Sequence, residues 1–246
     1  MARWSILFYT PVYSLAVRGW SPAVAGSILI PTNAGFAAGG LLAGVFHIKR
    51  SGSFYGHTLV TMGIFPLTFL MLAFITTRDS EWVGYVIVVF TNGLLTGASL
   101  NYALVHLLHL TEPSVHPIAL SLLATFRGFA GSFGSAIGGG YFERVLRKAL
   151  IDGFRNAGLG YPKELIRKLI GSPALVRGLE PREQDVAVHA YEKSIKALFL
   201  GAMGIGIIVV IMQACTGWEQ PTDKEEEDPI SVEGEIGEEE RLLAAS

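Results

Sequence analysis

WVGYVIVVFTNGLLTGASLNYALVHLLHLT, Trp82 to Thr111, runs for thirty positions without one charged side chain. A hydrocarbon layer about 30 Å thick is crossed by about 20 helical residues rising about 1.5 Å each. The stretch therefore reads as a membrane span, Trp82 to about Leu110, long enough to tilt or protrude. Residues 113–141 read alike, carrying a single charge, Arg127. Working outward, apolar runs extend from Trp4 to Val17, Ala23 to Phe46, Tyr55 to Ile75, Val115 to Phe142 and Ala197 to Trp218. The first covers only about 21 Å and begins abruptly after Met-Ala-Arg, as a span would whose beginning is missing. The expected fold is an all-α polytopic membrane protein with six transmembrane helices.

Composition agrees. Half of the 246 residues are hydrophobic and 16% are charged, against roughly 25% charged in a typical soluble domain; mean hydropathy is +0.44. The charges are segregated. Residues 142–196 hold eleven Lys/Arg against seven Asp/Glu, and residues 219–246 hold eleven acids against two bases. This division predicts five spans within 1–142, a long loop at 143–196, a last span at 197–218 and an acidic disordered tail at 219–246. Within the loop, short helices are expected at Lys163–Ile170 and, amphipathic, at Glu183–Lys196; the whole reads as a cap over the bundle. The lone Cys215 excludes an intrachain disulfide, the first run is not expected to be a signal peptide, lacking a basic start and a small-residue cleavage site, and no basic patch with interleaved aromatics points to nucleic acid.

The 29 glycines suit membrane helices, where small residues let backbones approach. Gly26, Ile30, Asn33, Ala37, Gly40 and Gly44 share one face of the second span, and Arg127, Gly131, Gly134 and Gly138 one face of the fifth. Both faces are expected to pack against protein. Gly201, Gly204 and Gly206 lie inside the last run with no strand before them, so packing again explains them better than a phosphate loop.

Polar residues at span depth are the candidate site. Arg127 is costly in hydrocarbon and shares its face with the glycine stripe. It is expected to point inward, towards a carboxylate or an anionic substrate group, or else to be tied to backbone carbonyls. Asn92, Thr96, Ser99 and His106 form one stripe of the fourth span, with Asn101 and Tyr102 alongside. Together with Asn33 they line a cavity or bond between helices. No Asp or Glu lies inside a span, which leaves His106 as the possible proton relay. His106, His109 and His116 do not make a metal site with its several convergent ligands, and no cofactor is expected. Paired catalytic residues are lacking, so an enzyme is not expected.

Four stretches, in order, resemble the major facilitator superfamily, specifically its fungal fourteen-helix branch of drug:proton antiporters and vacuolar basic amino-acid transporters. YTPVYSLAVRGWSPAVAGSILIP, Tyr9 to Pro31, is similar to the family's span, short loop and span. GVFHIKRSG, Gly44 to Gly52, resembles its basic cytoplasmic turn, where Lys49 and Arg50 would form the gate; Ser53 and Phe54 stand where relatives place an arginine and an aromatic. ATFRGFAGSFGSAIG, Ala124 to Gly138, is similar to the penultimate helix, and HAYEKSIKALF, His189 to Phe199, to the approach to the last. The resemblance implies the C-terminal half of a transporter, six helices in two inverted three-helix repeats, with the N-terminal half absent.

The same resemblance implies alternating access, proton coupling through a carboxylate of the absent half, and a small organic solute. Basic amino acids are the first expectation, drugs or siderophores the second. The alternative is a degenerate, non-transporting membrane protein acting as scaffold or regulator. Lysine and arginine counts would make the long loop cytoplasmic. The resemblance reverses this, placing the Lys49–Arg50 turn and the tail in the cytosol and the loop in the lumen or exterior. Glu238, Leu242 and Leu243 then match an acidic dileucine signal for a sorting adaptor, favouring the vacuolar membrane over the plasma membrane.

Overall fold

The computed structural model describes residues 2–47 and 54–216, and within these every regular element is helical. The helices are α1 (Ala2–Ala16), α2 (Pro22–Ser27), α3 (Leu29–Leu41), α4 (Tyr55–Ile75), α5 (Trp82–His109), α6 (His116–Asn156), α7 (Lys163–Gly171) and α8 (Pro181–Ala214). A π-type turn, Leu42–His47, extends α3. Prolines punctuate the chain: Pro22, Pro117 and Pro181 sit in first turns, where the missing N–H costs nothing. Pro31 crowds the carbonyl four residues before it, and the helix breaks there, between Ser27 and Leu29. Pro11 and Pro66 remain inside α1 and α4.

Among the described residues, four helical stretches are long and apolar enough to cross a bilayer: Pro22–Val45, Tyr55–Ile75, Trp82–His109 and Pro181–Ala214. Six were expected. At 15 residues, α1 falls short of the needed length, and α6 is diluted by Arg127 and its run of glycines and serines. Large apolar side chains such as Ile30, Val60, Phe74, Ile87, Phe126, Phe129, Ile208 and Met212 are exposed. So much apolar surface is untenable in water and suits lipid.

In the bundle α5 lies between α3, to which it runs parallel, and α4, to which it runs antiparallel, while α4 packs on α8, and α8 on α6 and α1. The α4–α8 seam can be followed along its length. Tyr55 donates to the Ala214 carbonyl (2.8 Å), Pro66 seats on Gly206, the Phe69 and Phe199 rings lie 6.2 Å apart, and the Arg78 N–H donates to Glu192 Oε1 (2.6 Å).

The α3–α5 seam is closer still. A Cβ on Gly35 would overlap the Phe90 carbonyl oxygen, and one on Gly39 that of Leu94. From the other side, Gly93 and Gly97 meet the Thr32 and Phe36 carbonyls. Two Gly-x-x-x-Gly pairs thus interlock. This corrects the expected face: Gly26 and Gly44 have open space where a side chain would project. The glycines of α5 select the opposite stripe of α3.

Phe142 and Ala197 are not helix boundaries. Forty-one residues of α6 and 34 of α8 measure about 61 and 51 Å at the helical rise, so both must leave the hydrocarbon. Beyond it, Leu146, Leu150 and Phe154 of α6 are buried in one cluster with Ile166 and Leu169 of α7, Val176, and Tyr191 and Ile195 of α8. Tyr191 donates to the Leu169 carbonyl. Gly158, at φ +72°, closes α6 in a Schellman motif: the Leu159 N–H reaches the Phe154 carbonyl (3.0 Å) and the Gly158 N–H that of Arg155 (3.2 Å). The turn Pro173–Gly178 packs on the end of α1.

Arg18 clasps that end to the α4–α5 loop. Its Nε donates to Tyr13 Oη (2.8 Å) and its Nη2 to the carbonyl and hydroxyl of Ser80, while Tyr13 donates to the Thr77 carbonyl (2.8 Å). Arg18→Ala is expected to lower stability by about 1.5–3 kcal/mol, seen as a reduced unfolding midpoint in detergent. Lysine should recover less than half, since it offers a point charge in place of a fork. An unchanged midpoint for Arg18→Ala would show the clasp to be incidental.

Candidate functional site

The structure brings a subset of the polar residues to one cavity of about 400 Å³. α5 contributes Thr96 and Ser99, α6 contributes Arg127, and α1 contributes Arg3 and Trp4; Met62, Phe65, Leu100, Ile205 and Val209 supply apolar wall. The glycine stripe of α6 sets the position of Arg127. Gly131 lies under the Trp4 ring, Gly134 is buried, and Gly138 faces Ser5 and Leu198. The stripe therefore docks α6 against α1, and Arg127 follows one turn further on.

Arg127 is exposed. Among the described residues its guanidinium has no hydrogen bond, ion pair or carbonyl tether. Insertion scales set the cost of such an arginine at about 2.5–3.5 kcal/mol, which access to water through the open cavity would reduce.

Arg3 is not among the residues that the sequence singles out. It occupies the first turn of α1, with Nη2 donating to Asn33 Oδ1 (3.1 Å) and its guanidinium over the Phe36 ring, 4.0 Å from the centroid. Its Nη1 is buried without a hydrogen-bond partner. No signal in the sequence marks this role, because it depends on α3 presenting Asn33 and Phe36 to α1. Ser99 Oγ is likewise buried and unpartnered, while Thr96 donates to the Asn92 carbonyl (2.7 Å).

The other candidates lie apart. Asn33 is exposed on α3; besides receiving Arg3 it donates to the Leu29 carbonyl (2.9 Å). Asn92 is fully buried and donates to Thr68 Oγ1 (2.7 Å), bonding α5 to α4. Asn101 donates to the Gly97 (3.1 Å) and Gly40 (3.4 Å) carbonyls, which makes it an interhelical bond and not a cavity residue. Tyr102 joins an aromatic group with His47 and His57, at ring separations of 5.5 and 5.9 Å. His106 is buried, 3.4 Å from Thr216 Oγ1 and 5.8 Å from the Tyr55 ring, two turns beyond Ser99 and outside the cavity. The single stripe read from Asn92 to His106 thus serves three neighbourhoods. Lys49, Arg50, Glu238, Leu242 and Leu243 lie outside the described residues. Among those described, no three His, Cys, Asp or Glu side chains converge as a metal site.

The cavity can therefore offer donors. Arg3, Arg127, Thr96 and Ser99 line a space on which no carboxylate opens, and the rest of its wall is apolar.

No family model matches the chain, and no solved structure matches it. Curated relatives do. The chain is 24% identical over 205 residues to the MFS-type transporter clz4 of Cochliobolus lunatus, covering 82% of this chain and 34% of the relative. It is 24% identical over 231 residues to the MFS-type transporter pigP of Monascus ruber, covering 92% and 38%. The MFS transporter L2 of a Phoma species is 26% identical over 152 residues, 60% of this chain and 24% of the relative. The chain spans about a third of the length of the first two. At this identity and coverage the chain is similar to part of these MFS-type transporters, which are not enzymes.

Proposed function

We propose that this chain, an integral membrane protein similar to MFS-type transporters, is the C-terminal six-helix portion of a secondary transporter that moves small organic solutes by alternating access. The observation that carries the reading is the cavity itself: an open space of about 400 Å³ lined by α1, α4, α5, α6 and α8, with apolar walls and a few polar groups, the make-up of a small-molecule site. Alignment of 60–92% of this chain to 24–38% of each relative supports the view that the remainder of the machine lies in other residues.

On this reading α1, α6 and the four more apolar stretches make the six crossings, arranged as two inverted triplets of the fourteen-helix kind. Coupling to protons runs through a carboxylate outside this chain. The Lys49–Arg50 turn and the tail face the cytosol, and the Glu238, Leu242, Leu243 signal directs the protein to the vacuolar membrane. Basic amino acids, which the family branch implies, are disfavoured as cargo, because two guanidiniums repel a cationic side chain.

Proteoliposomes holding this chain alone are expected to take up no fluorescent organic solute above protein-free vesicles. The complete reading frame, with any in-frame coding sequence upstream of Met1 restored, should take it up and respond to an imposed pH gradient. Uptake by the chain alone would refute the partial-machine reading. Inactivity of the complete frame towards anionic, neutral and cationic probes alike would favour the non-transporting alternative.

A further inference from the structure

We infer that the cavity receives the acidic group of an amphipathic organic anion, a carboxylate or comparable acid on an apolar body. The inference rests on the transporter reading for its biological sense, but on geometry for its chemistry.

The charged groups at this cavity donate only, while the Thr96 and Ser99 hydroxyls can donate or accept. Arg3 is held by the Phe36 face and the Asn33 oxygen with Nη1 left over, Arg127 has no protein partner among the described residues, and the Ser99 hydroxyl is buried and unpaired. Carboxylates are acceptors only, with two oxygens and about four lone-pair sites, and guanidinium is their best-matched partner. The described ion pairs, Glu143–Arg147, Glu164–Arg167 and Asp185–His189, are exposed and lie elsewhere. The two cavity arginines thus carry a positive charge that nothing described neutralises.

The rest of the wall decides the remainder of the ligand. Trp4, Phe65, Met62, Leu100 and Ile205 present carbon, which a bare inorganic anion leaves unused and an aromatic or aliphatic body covers. A zwitterion would bring an ammonium for which no carboxylate stands ready. A neutral solute would leave both guanidiniums unanswered.

The test uses the whole chain in neutral phosphatidylcholine nanodiscs, with Trp20→Phe, Trp82→Phe and Trp218→Phe leaving Trp4 as the energy-transfer donor. The probes are 9-anthracenecarboxylate, its neutral hydroxymethyl analogue and its cationic aminomethyl analogue, with inorganic phosphate as competitor. The carboxylate should bind about tenfold or more tighter than the neutral probe, a ratio of the size expected for charge-assisted hydrogen bonds. The cation should bind weakest, and equimolar phosphate should displace little. Arg3→Gln and Arg127→Gln should each erode the preference, and together abolish it. Arg3→Lys and Arg127→Lys, which keep the charge, should retain part of it and control for loss of fold.

Equal affinity for the three probes, or a preference surviving the double glutamine variant, overturns the inference; displacement by equimolar phosphate overturns its amphipathic part. If an acidic side chain from the remainder of the transporter answers the arginines, the complete protein will bind anionic and neutral probes alike, and the inference fails there too. Anion-selective binding without uptake by the complete frame leaves this inference standing and sinks the transport reading. Uptake without anion preference does the reverse.

Discussion

Alanine at Gly93 or Gly97 is expected to lower the unfolding midpoint clearly, and leucine at either to prevent recovery of a monodisperse protein. The added Cβ at Gly93 meets the Thr32 carbonyl and at Gly97 that of Phe36, with the Phe36 and Gly40 amides close behind. These are backbone atoms, which cannot swing aside as a side-chain end would, so α3 and α5 must separate. Overpacking of this kind costs about 1–3 kcal/mol for a methyl group. Separation also forfeits Cα–H···O contacts along the seam, each worth about 0.5–1 kcal/mol. Lipid provides no hydrophobic drive to re-seat the helices at a wider spacing, since its tails are as apolar as leucine. Gly26→Ala and Gly44→Ala are the matched controls. Nothing lies within 4 Å of the new carbon at either site, and alanine is the better helix former, so their midpoints should hold or rise. Equal losses at Gly93 and Gly44, followed by thermal denaturation and size exclusion in one detergent, would contradict the interlocked seam.

Phe154→Ala should cost about 3–5 kcal/mol, the usual loss for a buried phenylalanine truncated to alanine, and the damage should stay outside the membrane. Phe154 has no exposed surface and belongs to the cluster containing Leu146, Leu150, Leu169 and Tyr191. Its carbonyl also anchors the Schellman turn that ends α6. At the water-facing end of α6 the full hydrophobic effect operates, so the loss combines transfer and cavity costs. Hydrogen exchange should show α7, residues 143–156 of α6 and residues 181–196 of α8 losing protection together, while α3, α4 and α5 retain theirs. Protection lost evenly across all helices would mean that the extramembrane layer and the bundle unfold as one unit.

These two sites differ in how far the sequence announced them. The 4-residue spacing of Leu146, Leu150 and Phe154 is visible in the chain, yet their charged neighbours suggested a loop. The helix persists because charges such as the Glu143–Arg147 pair (2.7 Å) face solvent on its far side while the apolar stripe finds α7 and α8. On α3 the glycines Gly35 and Gly39 were equally visible. Choosing them over Gly26 and Gly44 required knowing where Gly93 and Gly97 would lie. Arg127 stood out because its charge interrupts an apolar run. Arg3, which answers it across the cavity, was hidden among residues at the chain's start.

Read alone, then, the sequence determined the solvent, the helical class and the approximate reach of the long apolar helices: α4 and α5 follow the runs Tyr55–Ile75 and Trp82 to about Leu110. Those properties are sums over local terms, the hydropathy of a stretch and the need to satisfy each backbone group within it. Tertiary structure alone decided which glycines meet, which asparagines are spent between helices, and that Arg3 and Arg127 open on one cavity. Periodicity assigns residues to a face of their own helix, but the pairing of faces depends on shape shared between segments far apart in the chain.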